Sequence, residues 1–219
     1  MKQNFVVIGL GRFGSSVART LLEKGHEVLA IEKDEALVSS YSQGFTHLVQ
    51  ADTTDMNVLK SVGVRNCDVA VVAIGSDIQA SIMTTLNLKE LGIDYIVAKA
   101  INSMHGKVLE KIGADRVVYP EMEMGERIAN SLVSKSLLDY IELTPEVSIR
   151  EILVERGFGE KSLSELGLRG RFHVTIVLIK RNDEISITPG GDACIKAGDV
   201  LFVIGRNGDL DRFEQQVSG

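Results

Sequence analysis

Residues 5–34 read FVVIGLGRFGSSVARTLLEKGHEVLAIEKD, and this stretch decides the fold. A short apolar run, Phe5–Ile8, leads into a glycine-rich segment. An amphipathic pattern over Phe13–Lys24 follows, and a second apolar run, Val28–Ile31, ends at an acidic residue. This order of strand, glycine-rich turn, helix and strand is typical of a βαβ unit in a parallel sheet.

The glycine-rich segment has the pattern GxGxxG, formed by Gly9, Gly11 and Gly14. In dinucleotide-binding folds the first glycine permits a tight turn, the second lets the backbone approach a pyrophosphate, and the third allows close helix–strand packing. The amides and the dipole at the start of the following helix favour negative charge. We therefore predict that this loop, with Phe13, holds the phosphates of an adenine nucleotide. A glycine-rich turn without a ligand is the alternative.

The alternation of short apolar runs and helical patterns continues to residue 120. The predicted strands are Phe5–Ile8, Val28–Ile31, His47–Gln50, Val69–Ala73, Ile96–Ala98 and Arg116–Val118. The predicted helices are Phe13–Lys24, Glu35–Gln43, Thr54–Val62, Asp77–Leu91 and Ser103–Ile112. The pattern predicts an α/β fold, a Rossmann-like doubly wound parallel sheet over residues 1–120.

The ligand of such a sheet lies across the carboxyl ends of the strands. Glu32 ends the second strand, where a carboxylate can accept hydrogen bonds from both ribose hydroxyls and disfavours the 2′-phosphate of NADP. A solvated glutamate is the alternative for this position. The other residues predicted to border the nucleotide at the strand ends are Lys33, Asp52, Thr53, Ala73, Ile74 and Gly75.

Arg12 lies inside the glycine loop, where dinucleotide-binding sequences usually place a small or apolar residue. A guanidinium can pair with phosphate oxygens through two parallel hydrogen bonds. Such an arginine suits a nucleotide with an exposed β- or γ-phosphate, and NAD has less need of it. A surface arginine with only solvated contacts is the alternative.

The pattern changes after Tyr119-Pro120. Residues 121–144 are predicted to be a crossover helix and linker, with an apolar helix over Met122–Tyr140 that packs on another chain or on the next domain. Residues 145–219 predict a smaller α+β subdomain. Its predicted strands are Ser148–Val154, Val174–Ile179, Ile185–Thr188 and Val200–Ile204, and its predicted helices are Leu163–Leu166 and Leu210–Val217.

Composition excludes several function classes. The net charge of −6 and the lack of a Lys/Arg run argue against a nucleic-acid partner. Neither a signal peptide nor a bilayer-length apolar run is evident, and two widely spaced cysteines suggest reduced thiols in the cytoplasm. The four histidines are scattered, and no Walker, HExxH or triad pattern is present. We therefore expect a binding protein, not an enzyme; an NAD(H)-binding oxidoreductase or redox-sensing protein is the alternative.

The segment GLGRFG, followed by VLEKIGADRV and then by PE and MG, resembles RCK (regulator of potassium conductance) domains, specifically the cytoplasmic regulatory subunits of Ktr/Trk potassium-uptake systems. At Glu32 the chain departs from the aspartate usual in that family. The resemblance implies a homo-oligomer, typically an octameric ring, beneath a membrane subunit of the KtrB type that conducts potassium. It also implies that ATP and ADP compete for the Rossmann site and change the shape of the ring. The protein would thus lie peripherally on the inner face of the cell membrane.

The resemblance also assigns roles to particular residues. Arg12 matches an arginine that reads the γ-phosphate across a subunit interface, and Lys99 matches a lysine on the phosphate side. Glu121 matches an acid that helps to hold Mg²⁺ or another cation beside the γ-phosphates of paired subunits. Arg169 and Pro189 fall where several relatives bind cyclic di-AMP in the C-terminal subdomain.

Overall fold

The computed structural model describes residues 3–133, 137–159 and 161–217. The chain divides into two compact units, Met1–Met122 and Glu123–Gly219. Across the described ranges, no helix combines the length and the apolar character needed to span a bilayer.

The first unit is built on a six-stranded parallel sheet with the strand order β3-β2-β1-β4-β5-β6. Strands β1 to β6 are Asn4–Ile8, Glu27–Glu32, His47–Gln50, Val69–Val72, Tyr95–Lys99 and Arg116–Val118. Helices α1 to α5 are Arg12–Glu23, Glu35–Tyr41, Met56–Ser61, Ile78–Glu90 and Ser103–Lys111, and a short 3₁₀ turn, Val64–Asn66, follows α3. The predicted Rossmann-like sheet is confirmed.

Apolar side chains cover both faces of this sheet because its strands alternate between two clusters. Val6 and Ile8 of β1 pack with Leu88 of α4 and its neighbours in one cluster. Val7, between them, packs with Ala18 of α1 in the other cluster. Strands that are buried on both faces read as continuous apolar runs, and this explains why they could be recognised in the sequence.

The strand order reverses between β1 and β4, so the loops that follow these two strands diverge and leave a crevice at their carboxyl ends. The amide of Ala73 donates to the carbonyl of Ile8 at 2.8 Å, and the amide of Gly9 donates to the carbonyl of Ile31 at 2.8 Å. These bonds extend the parallel ladder by one residue and fix where the glycine loop begins.

The second unit contains a five-stranded antiparallel sheet with the order β10-β9-β11-β8-β7. Strands β7 to β11 are Leu137–Thr144, Val147–Leu153, Thr175–Arg181, Glu184–Ile187 and Val200–Arg206. Helix α6, Pro120–Val133, precedes the sheet, and α7, α8 and α9 are Leu163–Leu166, Leu168–Phe172 and Asn207–Val217. Its core includes Ile152, Leu201 and the fully buried Phe213 of α9. This antiparallel sheet with helices confirms the predicted α+β character.

The helix predicted over Met122–Tyr140 is wrong in its second half. Helix α6 ends at Val133, residues 134–136 lie outside the described ranges, and Leu137–Thr144 is strand β7. Strand β7 pairs antiparallel with β8, with Ile141 opposite Ile149. A short apolar run fits a helix or a strand equally well by periodicity, and the hairpin partner decides between them. The part of 121–144 that was expected to be linker is therefore largely a sheet strand.

Candidate functional site

The glycine loop between β1 and α1 is tightly packed at its first and third glycines. Gly9 has φ +91°, and a Cβ there would lie 3.2 Å from the carbonyl carbon of Ala73. A Cβ on Gly14 would overlap the carbonyl oxygen of Gly9 and approach the Ala73 side chain to 2.9 Å. Gly14 therefore lies directly beneath the loop, and its lack of a side chain allows the loop to pack closely there.

The start of α1 has no side-chain cap. Its N-cap is Gly11, and its first turn contains no acidic residue. Each of the other four helices within residues 3–111 is capped by a side chain, from Asp34, Asp55, Asp77 and Asn102. The first amides of α1 are thus left without the side-chain acceptor that the neighbouring helices have. Backbone N–H groups that no side chain occupies are the groups that bind an anion at the start of a helix.

A cleft of about 910 Å³ opens at the carboxyl ends of the strands beside this helix start. Predicted residues that line the cleft are Gly9, Gly11, Arg12, Phe13, Glu32, Lys33, Asp52, Thr53, Ala73, Ile74, Gly75, Lys99 and Glu121. Gly14 does not line it, in keeping with its position beneath the loop. The structure thus brings the predicted nucleotide residues into one cleft.

Glu32 connects the loop to the second strand. Its carboxylate accepts hydrogen bonds from the amides of Leu10 at 2.6 Å, Lys33 at 2.7 Å and Asp34 at 2.9 Å. The side chain therefore lies between the glycine loop and the start of α2, at the end of β2. Because glutamate is longer than aspartate, it reaches the loop amide of Leu10 from the strand end.

Asp52 and Lys33 form an ion pair at the same end of the cleft, with 2.7 Å between Lys33 Nζ and Asp52 Oδ2. Hydrogen bonds from Lys33 and from the hydroxyl and amide of Thr54 lower the pKa of Asp52 to about 2. The same pair raises the pKa of Lys33. Both groups are charged at neutral pH, and together they form a polar wall after β2 and β3.

Two residues that the sequence analysis missed hold this wall from behind. Asn87 of α4, nearly buried, donates from Nδ2 to the carbonyls of Thr54 at 2.9 Å and Thr53 at 3.3 Å. The hydroxyls of Thr84 and Thr53 are hydrogen-bonded at 2.8 Å. The sequence contains one signal that could have identified them. Helix α4 has polar residues on the face where an amphipathic helix normally buries apolar ones, namely Ser81, Thr84, Thr85 and Asn87.

Lys99 and Glu121 form a second ion pair, beside Gly75, with 2.5 Å between Lys99 Nζ and Glu121 Oε1. The Lys99 hydrogen bond lowers the pKa of Glu121. The Lys99 side chain is 12% exposed and that of Glu121 is 70% exposed. Among the described residues, no group of three or more His, Cys, Asp or Glu side chains could hold a metal ion.

Arg169 and Pro189 lie in the second unit, where they line one cavity of about 340 Å³. The cavity is formed by the segment Leu163–Gly170, the start of β9 and the turn after β10. Arg169 is exposed on α8, and Pro189 is half-buried. The two residues are 20 positions apart in the sequence, and the fold brings both to the wall of the same cavity.

Comparisons with known proteins assign both parts of the chain to the same family. Residues 5–120 match the TrkA-N domain model, and residues 149–218 match the TrkA-C domain model. The chain is 48% identical to Ktr system potassium uptake protein C of Bacillus subtilis (strain 168), over 99% of this chain and 98% of that protein. The chain belongs to the Ktr family of potassium uptake proteins. A second Ktr family relative, Ktr system potassium uptake protein A of the same organism, is 46% identical over 98% and 96% of the two chains. The resemblance noted in the sequence is confirmed.

Two solved structures of the GsuK channel share the fold of this chain. The GsuK channel matches with a TM-score of 0.69 at 19% identity, and the GsuK channel bound to NAD matches with a TM-score of 0.66 at 18% identity. Each match covers 100% of this chain and 40% of the channel chain. At such low identity the likeness concerns the fold alone.

Proposed function

We propose that this chain is a non-enzymatic regulatory subunit of a potassium-uptake system and that it senses ATP and ADP. The observation that carries the proposal is the phosphate end of the cleft. An uncapped helix start, Arg12 and Lys99 all border it, whereas Glu32 borders the ribose end. The potassium role rests on relatives at 48% and 46% identity that are named as potassium uptake proteins.

The proposed mechanism is a difference in charge between two nucleotides. A ligand shifts a conformational equilibrium only through differential affinity for the two states. ATP adds one phosphate, which Arg12 of a neighbouring subunit and a cation at Glu121 would neutralise when subunits approach. Because ADP lacks this phosphate, a different spacing between subunits is favoured. The state of the assembly would then report the ATP-to-ADP ratio.

The partner in this proposal is an integral-membrane subunit of the KtrB type that translocates potassium. The chain would meet it as a homo-oligomer, an octameric ring, at the cytoplasmic face of the membrane. The net charge of −6 is compatible with a protein partner and argues against nucleic acid.

The test is a calorimetric titration of the purified full chain with ATP, ADP, NAD and NADH, with light scattering to follow the size of the assembly. We expect ATP and ADP to bind competitively and to give different scattering or different assembly shapes. NADH binding without any response to ATP would replace this proposal with the alternative of an NAD-linked redox sensor. Glu32 could bind the ribose of NAD as well as that of ATP.

A second ligand, cyclic di-AMP, is favoured by the cavity that Arg169 and Pro189 line together. Arginine can pair with a phosphodiester, and the ring of Pro189 offers an apolar surface to a base. We expect Arg169→Ala to reduce cyclic di-AMP affinity and to leave ATP affinity at the first unit unchanged. An equal affinity of the wild type and the variant for cyclic di-AMP would remove this ligand from the proposal.

A further inference from the structure

The ion pair between Lys99 and Glu121 is asymmetric in its exposure to water. The Lys99 side chain is 12% exposed, and its Nζ and Cε lie 3.2 and 3.3 Å from where a Cβ on Gly75 would be. Glu121 is 70% exposed. A carboxylate that leaves this pair is hydrated at once, whereas the ammonium has little access to water and needs another anion.

Both members of the pair line the cleft that also contains Gly11 and Arg12. A phosphate group at the start of α1 would therefore enter a cleft in which Lys99 already has an anionic partner, Glu121. Any phosphate that reaches Lys99 competes with Glu121 for the ammonium. The outcome depends on how much negative charge the ligand brings to this end of the cleft.

We infer that Lys99 is a displaceable counter-charge, which Glu121 holds until a nucleotide phosphate takes its place. Binding then releases the Glu121 carboxylate, and a ligand with more phosphates releases it more completely. Where no cation is bound, Lys99 thus adds to the discrimination by phosphate number that is proposed for Arg12, and Glu121 opposes binding until it is displaced. The inference rests on the proposed function, because it requires an adenine nucleotide in this cleft.

The ion pair between Lys33 and Asp52 provides a matched comparison in the same cleft. It has the same chemistry, with 2.7 Å between its charged atoms, but its lysine is 70% exposed and it lies after β2 and β3. Substitution of Asp52 should therefore change the affinities for adenosine and ATP by the same factor. Substitution of Glu121 should change the affinity for ATP and not that for adenosine.

The test is calorimetry on the full chain in EDTA, with adenosine, ADP and ATP as probes. Glu121→Gln should bind ATP more tightly than the wild type, by up to about five-fold, since an exposed ion pair is worth up to about 1 kcal/mol. Lys99→Met should bind ATP more weakly. In the double variant, Glu121→Gln with Lys99→Met, the gain from Glu121→Gln should disappear. Asp52→Asn, which removes the charge from the pair with Lys33, serves as the matched comparison for these affinities.

Each other outcome overturns a specific part. Unchanged or weaker ATP binding by Glu121→Gln would make the pair merely structural. A gain that persists in the Lys99→Met background would assign the effect to direct repulsion between Glu121 and phosphate. If Lys99→Met does not fold, the contrast between ATP and adenosine in Glu121→Gln still decides whether the pair opposes phosphate. A wild type that binds no adenine nucleotide would overturn the proposed function itself, a result distinct from the others.

Discussion

Gly11 offers a sharp test of the phosphate loop, because its substitution should affect the ligand and spare the fold. Its backbone, with φ −61° and ψ −173°, is accessible to alanine, and a Cβ there would meet no described atom within 4 Å. Alanine is a poorer N-cap than glycine by about 0.5–1 kcal/mol, but it also restricts the unfolded chain by about 0.4–1 kcal/mol. These contributions nearly cancel, so Gly11→Ala should unfold within about 0.5 kcal/mol of the wild type.

The nucleotide should respond very differently. The methyl group of Gly11→Ala would occupy the space through which the loop backbone approaches a phosphate. We expect ATP and ADP affinity to fall by at least about ten-fold, which corresponds to about 1.4 kcal/mol. Thermal unfolding without ligand and calorimetric titration with ATP separate the two effects. Unchanged ATP affinity in Gly11→Ala would refute the idea that this loop contacts the phosphates.

Gly14→Ala is the matched variant. Its Cβ would overlap the carbonyl oxygen of Gly9, so the loop must shift even without a ligand. Overpacking of this kind costs about 1–3 kcal/mol and outweighs the gain of about 1 kcal/mol in helix propensity. We expect a lower unfolding temperature together with weaker ATP binding. A higher unfolding temperature would show that the loop is not packed as described.

Three further predictions concern charged groups. Arg12→Ala should lose the preference for ATP over ADP while nucleotide binding largely survives, which competition titrations would show. Asp52, whose pKa is lowered from 3.8 to about 2, adds stability that is present above about pH 4 and is lost as the pH falls through 2. Asp52→Asn should therefore flatten the acid limb of the stability curve, as measured by urea unfolding at a series of pH values. Arg181→Met should destabilise the second unit by about 1–2 kcal/mol in thermal unfolding, because the 1% exposed carboxylate of Asp199 loses its bidentate partner. The loss stays below that of a fully buried pair, since the Arg181 side chain is 39% exposed and the amide of Lys196 still donates to Asp199.

These predictions have internal controls. Arg212 pairs with Asp209 on the surface of α9, and its own side chain is 61% exposed. Arg212→Met should change stability by less than about 0.5 kcal/mol, since exposed pairs contribute little. A loss as large as that of Arg181→Met would contradict the explanation by burial. For Arg12→Ala, equal weakening of ATP and ADP would remove the γ-phosphate role.

The first unit could be predicted from the sequence because its signals are local. Each parallel strand is a short apolar run, and the glycine pattern stands between the first strand and the first helix. The prediction failed where a partner distant in sequence decides the structure. Leu137–Thr144 is a strand only because β8 pairs with it. Likewise, Asn87 holds the carbonyl of Thr54 across 33 residues, a contact that no local pattern reveals.

The two ends of the cleft differ in how firmly their side chains are held. At the proposed ribose end, Glu32 is bound to backbone amides, and the loop that contains Thr53 is held by buried side chains of α4. We therefore expect this wall to be fixed before a ligand arrives. At the proposed phosphate end, the helix start has no side-chain cap and Lys99 is paired with an exposed Glu121. A fixed wall contributes the same affinity to every adenine nucleotide. Under the proposed function, we therefore expect discrimination by phosphate number at the end where Lys99 and Glu121 can exchange partners and which Arg12 also lines.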